Sequence, residues 1–231
     1  MTRESTLDVL RHDNHLLFVG KPAGLPIVPD ESGDESLLDR AREWVRVTFA
    51  KPGAVYLGVV HRLDRPVSGV VLFARTSKAA ARLSEAFRGR DVEKTYLGRT
   101  VGAPRGDEGT LEQWLVKDER TRRVHVARDA DEPGAKRAVT HWRVLRRLEG
   151  GDALLELRPE TGRAHQLRVA CATLGTPLAG DLKYGAPSPL ADASVALHAA
   201  RLVVPHPTRD ERVAVDLPPP SRPWWPAGVT V

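Results

Sequence analysis

Apolar positions recur along this chain in two rhythms, and each predicts its own kind of element. Short apolar runs bounded by Gly or Pro occupy residues 16–19, 56–60, 69–74, 95–101, 139–145, 153–157 and 212–217, and read as strands. Two longer stretches carry the period of a helix. Leu37, Leu38, Ala41, Trp44, Val45 and Thr48 share one face between Asp34 and Phe49. Ala79, Ala80, Leu83, Ala86 and Phe87 share another after Thr76 and Ser77, with Gly89 as a natural stop. A third helix is expected over residues 162–174, ended by Gly175. More strands than helices, in irregular order, predict an α+β fold with a mixed, mostly antiparallel sheet rather than a doubly wound one. Turn residues crowd positions 21–29, 102–109 and 129–134, and the prolines of LPPPSRPWWP at 217–226 forbid helix or central strand there. Without an internal repeat or a linker rich in Gly, Ser or charge, residues 1–231 are expected to form a single domain.

Composition narrows the class. A hydrophobic content of 41% and a charged content of 28% are those of a globular chain. The single Cys171, in the apolar run VACATL, excludes an intramolecular disulfide framework and reads as a small core residue. The polar start MTRESTLDVL has no basic-then-apolar leader, and no apolar run approaches the roughly 20 residues of a membrane span, so a cytoplasmic protein is expected. The net charge of +5 is unevenly placed: residues 75–168 hold 21 Lys and Arg against 15 Asp and Glu, and arginine supplies 28 of the chain's 35 cations. Arginine's planar fork suits phosphate, so the balance points toward a polyanion, with codon bias as the ordinary alternative.

The phosphate-cradle patterns GxxxxGK[ST] and GxGxxG, the metal pattern HExxH and the nucleophile elbow GxSxG do not occur. His12 and His15 lie in a turn-like stretch with no third ligand nearby and read as solvated surface. Carboxylates and cations are left to do the chemistry. In HRLDRPVSG, residues 61–69, Asp64 is flanked by Arg62 and Arg65 between two strands. Such a carboxylate suits a nucleophile or an electrostatic stabiliser and is ill suited to act as an acid, although a turn-capping role accounts for the same residues. Residues 158–168, RPETGRAHQLR, open the third helix. Arg163, His165 and Arg168 would add donors to a helix start suited to phosphate, with a solvated cationic helix end as the alternative. Tyr96, beside Lys94 in EKTY, suits a base-stacking platform or an ordinary half-buried strand position.

Together these segments resemble the RluA family of RNA pseudouridine synthases. The resemblance rests on HRLDRPVSG at 61–69 before an apolar strand, KPAGLPIVPD at 21–30, EKTYLG at 93–98, RPETGRAHQLRV at 158–169, GTPLAGDLKYG at 175–185, and LHAARL with the HP at 206–207, in order, over about residues 7–218. It implies a bisected mixed sheet flanked by helices and loops, with a central active-site cleft. It implies that Asp64 is the nucleophile, attacking ribose or uracil ring, that Tyr96 stacks on the target base and assists proton removal, and that Arg168 pairs with Asp64. Leu167 would pack against the base and Arg62 would fill the gap left by the flipped uridine. His61, Arg163, His165 and Gln166 are the remaining expected substrate contacts. The family uses no metal and no cofactor, nucleotide or otherwise; its partner is RNA, here tRNA and/or large-subunit rRNA, and a monomer is expected. Two positions depart from the usual pattern, Val67 and Ala164, each in place of Thr. Because the match begins near residue 7, the small N-terminal RNA-binding domain of many relatives is expected to be absent. A silent RNA-binding protein on the same scaffold, or a glycosidase with Glu160 as second carboxylate, are the rival readings.

Overall fold

The computed structural model describes residues 7–230; the polar start, read above for the lack of a leader, falls largely outside them. Eleven strands and three helices follow one another: β1 Asp8–His12, β2 Leu16–Lys21, α1 Leu37–Thr48, β3 Gly58–Val59, β4 Ser68–Ala74, α2 Ser77–Gly89, β5 Glu93–Thr100, β6 Glu108–Asp118, β7 Arg123–Val126, β8 Lys136–Arg147, β9 Ala153–Pro159, α3 Gln166–Thr173, β10 Leu197–Pro205 and β11 Arg212–Asp216. The α+β expectation holds, and every strand pair whose register is described is antiparallel. No helix among the described residues is long and apolar enough to cross a membrane.

The chain divides into two compact units, one formed by the residues up to Val92 with Arg201–Leu217, the other by Glu93–Ala200 with the tail from Pro218. In the first unit the strand order is β1–β2–β4–β10, with β3 on β4 and β11 on β10. β2 and β4 are buried along their whole length, which is why they read as continuous apolar runs. Their side chains pack with Ala79 and Leu83 of α2 and with Leu202, Val204, Val213 and Val215. Ser36 caps α1 through a reciprocal capping box with Asp39, and Thr76 caps α2. α2 runs through Gly89, and Arg90 takes the left-handed conformation that ends it.

In the second unit the order is β5–β9–β8–β6–β7. One core gathers Leu97, Leu154, Ala179, Ala196, Ala200, Trp225 and Val229, so the proline-rich tail delivers a buried tryptophan without forming an element. A second joins Leu115, Val124, Ala138 and Val169, with Tyr184 against it. β1, β6, β7 and β10 escape the apolar-run pattern. β6 and β7 form a half-exposed hairpin in which exposure alternates while the residue types do so only faintly, and β1 is largely polar. The expected strand over 56–60 shrinks to β3, because Tyr56 is exposed and only Gly58 and Val59 pair with Phe73 and Ala74.

Candidate active site

The loop that bears Asp64 is held from inside by a lysine. Lys21 ends the buried strand β2 with 2% of its surface exposed, and its ammonium donates to the carbonyls of Pro22 (3.0 Å), Arg65 (3.0 Å) and Val67 (2.8 Å). Two of these carbonyls, those of Arg65 and Val67, belong to the turn that Asp64 opens. Val67 N–H returns to Asp64 O (3.0 Å) and Gly24 N–H to Arg65 O (2.8 Å), so the turn 64–67 is closed on both sides. Burial pushes the Lys21 ammonium down to about 7; the charge of Asp64 works against that fall and Arg65 adds to it. Lys21 therefore faces the carboxylate as a cation whose proton is exchangeable near neutrality.

Local readings of this loop need correcting in one respect. Arg65, expected to flank Asp64, sends its guanidinium to Gly24 O (2.9 Å), Ser32 Oγ (3.0 Å), Asp30 and Asp34. Hydrogen bonding to a guanidinium is far stronger where two carboxylates and a carbonyl converge than beside one carboxylate in the same turn. Asp34 is thereby held below the usual carboxylate range, by its bond to Arg65 first and by Ser32 next. His61 also turns inward. Its Nε2 accepts from Leu72 N–H (2.9 Å), and its ring stacks on Phe87 at 4.9 Å, which fixes the loop's first residue against β4 and α2. Arg62 is exposed and Asp64 half-buried.

The second unit carries the remaining candidates. Tyr96 lies half-buried on β5 opposite Leu157 of β9, and β9 leads through Thr161 into α3. The helix starts at Gln166, not at residue 162, because His165 sits in the left-handed region at φ 51° and cannot continue a helix backward. Ala164 consequently precedes the helix and is not the i, i+4 neighbour of Arg168 that a helix from 162 would make it. Gln166, expected among the substrate contacts, is 4% exposed and uses both ends of its amide inside the protein. Its Oε1 accepts from Thr161 Oγ1 (2.7 Å) and Arg163 N–H (3.0 Å), and its Nε2 donates to Val139 O (2.9 Å) and Thr140 Oγ1 (3.0 Å). It shapes the turn 161–165 from within. Arg163 is exposed, with Nε on Arg137 O (3.0 Å), and Leu167 is buried.

Arg168 has a partner that sequence reasoning missed. Its Nε and Nη2 donate to the two carboxylate oxygens of Asp181, each at 2.7 Å, and the two side chains are 7% and 1% exposed. Such a two-pronged pair fixes the guanidinium plane. Gly180 makes this possible: it sits at φ 81°, and a Cβ there would run into Ser194 O and the Leu190 side chain. Tyr184, three residues after Asp181, lays its ring 5.0 Å from the Arg168 guanidinium and its hydroxyl 2.6 Å from His165 Nδ1. Asp181 and Tyr184 stand in the quoted stretch GTPLAGDLKYG, but nothing in its spacing says which side chains they grip. Cys171, buried on α3, has its thiol pushed up to about 12 by burial and by Asp181, and takes no part as a nucleophile.

Charge in the second unit is of two kinds. Across β6, β8 and β9 the arginines are answered by carboxylates: Arg137 by Glu112 (2.7 Å), Arg143 and Arg158 by Glu156 (3.2 and 3.1 Å), Arg147 by Asp107 (2.7 Å). A cavity of about 290 Å³ on that face is lined by both signs of charge, so this part of the arginine surplus is spent on the sheet itself. At the turn between β6 and β7, Arg120, Arg122 and Arg123 are all exposed.

The family model for RNA pseudouridylate synthase matches residues 15–173. The chain is 34% identical over 211 residues to the dual-specificity RNA pseudouridine synthase RluA of Haemophilus influenzae, covering 90% of this chain and 91% of that one. It is 36% identical over 231 residues to the ribosomal large subunit pseudouridine synthase D of Xanthomonas campestris, covering 93% of this chain and 66% of that one. Among solved structures, human RNA Pseudouridylate Synthase Domain Containing 4 aligns with a TM-score of 0.77 at 28% identity, over 93% of this chain and 89% of that one.

Proposed function

Because the chain belongs to the RluA family of RNA pseudouridine synthases, isomerases that act on RNA, we propose that Asp64 is its nucleophile and that uridines in tRNA and/or large-subunit rRNA are its substrates. The isomerisation breaks the bond between ribose and uracil N1, turns the base and rejoins it through ring carbon 5, whose proton leaves. No net redox change or phosphate energy is required. The reaction needs a nucleophile, a proton acceptor and a base taken out of the stack, the last costing a few kcal/mol and least in a loop. The observation that carries the assignment of Asp64 is its loop: one buried ammonium, three carbonyls and two backbone bonds hold the turn 64–67 while the carboxylate stays half-buried. A reacting group must be held in position but reachable, and that is how this one is held.

In this reading Tyr96 stacks on the flipped base and assists proton removal, Leu167 packs against it, and Arg168 is the charge partner of Asp64. Arg62 takes the place of the flipped base. Arg163 and His165 contact the RNA backbone, while His61 and Gln166 support the two loops from inside. Tight phosphate contacts make binding fall steeply with salt. The two compact units are read as one catalytic domain, since the chain passes between them three times, and the protein as a cytoplasmic monomer. Chemical mapping of pseudouridine in tRNA and rRNA from a strain lacking this gene tests the substrate class. A site that disappears and returns on complementation supports the reading; unchanged maps in both RNAs overturn it.

A further inference from the structure

One side chain links three places in the second unit: the start of β7, His165 and Arg168. Tyr184 Oη accepts from Val124 N–H (3.0 Å), at the start of β7, and lies 2.6 Å from His165 Nδ1. Its ring lies against the Arg168 guanidinium, and its backbone follows from Asp181, which grips Arg168. The residue before it, Lys183, accepts from Arg123 Nη2 at its carbonyl (3.1 Å) and donates from Nζ to Arg122 O (2.5 Å). The β6–β7 turn is itself well formed. Asp118 accepts from Arg120 N–H (2.9 Å), Thr121 N–H (3.2 Å) and Thr121 Oγ1 (2.7 Å), and Arg122 completes the turn at φ 51°. The tip therefore offers Lys117, Arg120, Arg122, Arg123 and the neighbouring Lys183 against only Asp118 and Glu119. Lys117 pairs with Glu119 (2.6 Å), and the tip as a whole keeps a net positive charge, which attracts a polyanion.

We propose that Tyr184 is a positioning residue that couples this basic hairpin tip, as a docking point for the RNA phosphodiester backbone, to the start of α3. With one lone pair engaged by Val124 N–H, the phenol donates its own proton to His165 Nδ1. This leaves the ring proton of His165 on Nε2 and holds the residue in its left-handed conformation at the head of the helix. Arg168 is fixed by the same short segment, through Asp181 on one side and the Tyr184 ring on the other. A phosphate bound at Arg122 or Arg123 pulls on Lys183, and Lys183 is covalently joined to Tyr184. RNA docking and the geometry of Arg168 are thus linked over a few bonds. The kinetic part of this proposal rests on the pseudouridine synthase reading given above; the spectroscopic part does not.

The test uses the full chain and three variants, Tyr184→Phe, Arg123→Ala and the double variant. Tyr184→Phe keeps the ring over Arg168 and loses only the hydroxyl, so folding is spared. Nitrogen-15 spectra of the histidines, with His165 assigned by its loss in His165→Gln, should show Nδ1 unprotonated in the wild type and a tautomer mixture in Tyr184→Phe. With bulk tRNA and rRNA labelled at uridine carbon 5, Tyr184→Phe should lower kcat about tenfold with KM within about twofold, a split that a loss of folded protein does not give. The double variant should lose less in kcat/KM than the product of the two single losses. His165 nitrogen shifts that are the same in wild type and Tyr184→Phe overturn the proposal, as does a double variant whose loss equals the product. If the wild type releases no label from either RNA, the synthase reading fails by itself and the nitrogen shifts alone decide the coupling.

Discussion

The Asp64 loop and the Arg168 helix start are both held by buried cations, yet they are held in opposite ways. Lys21 is a point charge that reaches three carbonyls and no carboxylate at hydrogen-bonding distance among its described bonds, and its proton is exchangeable at about 7. Arg168 is a planar fork matched by both oxygens of Asp181, and a guanidinium keeps its charge at any pH the fold survives. Removing water from an ammonium that is hydrogen-bonded by carbonyls is costly, and the cost appears as a displaced titration that the charge of Asp64 opposes only in part; in the paired guanidinium it is met by two charge-assisted bonds. Of these two cations, Lys21 under the loop of the proposed nucleophile is the one that exchanges its proton near neutrality.

Breaking the second region should have the larger effect on stability. Asp181→Ala leaves a guanidinium buried without its fork partner and should cost about 3–5 kcal/mol, read from the urea midpoint at constant slope. Lys21→Met removes the central donor of the turn 64–67 and should lower kcat about tenfold, with RNA affinity within a few-fold. The same variant tests the titration. Folded Lys21 releases its proton at about 7, against 10.5 for an ordinary lysine, so between those values the unfolded chain binds one more proton. Stability from this group therefore rises with pH across that window by up to about 1.4 kcal/mol per pH unit, and is lost as pH falls through 7. The difference between wild type and Lys21→Met, measured by urea unfolding from pH 6 to 10, should carry that slope; a flat difference contradicts the burial of the amine as a driver. The smallest effect is expected at Cys171, where Cys171→Ala should cost about 1 kcal/mol. Its thiol should resist aromatic disulfide reagents in the wild type and in Lys21→Met, and become reactive in Asp181→Ala, because it reports opening of α3 alone.

Much of this was readable from the residues. β2 and β4 announce themselves because both faces are buried, and α1 and α2 because their caps and apolar stripes agree. β6 and β7 did not, since a half-exposed hairpin rich in charge leaves only a faint alternation. The start of α3 was misplaced by four residues because nothing in GRAHQ signals that His165 adopts a left-handed backbone. At the candidate site, the resemblance points to Asp64, Tyr96 and Arg168, whereas nothing in the sequence singles out Lys21, Asp181 or Tyr184. Their work is done at a distance in sequence: Lys21 acts on residues 44 and 46 positions away, and Tyr184 on Val124, 60 positions away. Arg65 shows the converse error, since proximity in the chain suggested a partner that three-dimensional packing reassigns to Asp30 and Asp34.

The claim on which the account depends is that Asp64 carries the isomerisation, and release of tritium from ring carbon 5 of uridine measures it directly. Wild type and Asp64→Asn are to be compared on the RNA identified by pseudouridine mapping, with affinity measured alongside by filter binding. The account predicts release by the wild type, a loss of at least about 1,000-fold in Asp64→Asn, and RNA affinity unchanged within a few-fold. Turnover retained in Asp64→Asn with affinity intact would contradict it.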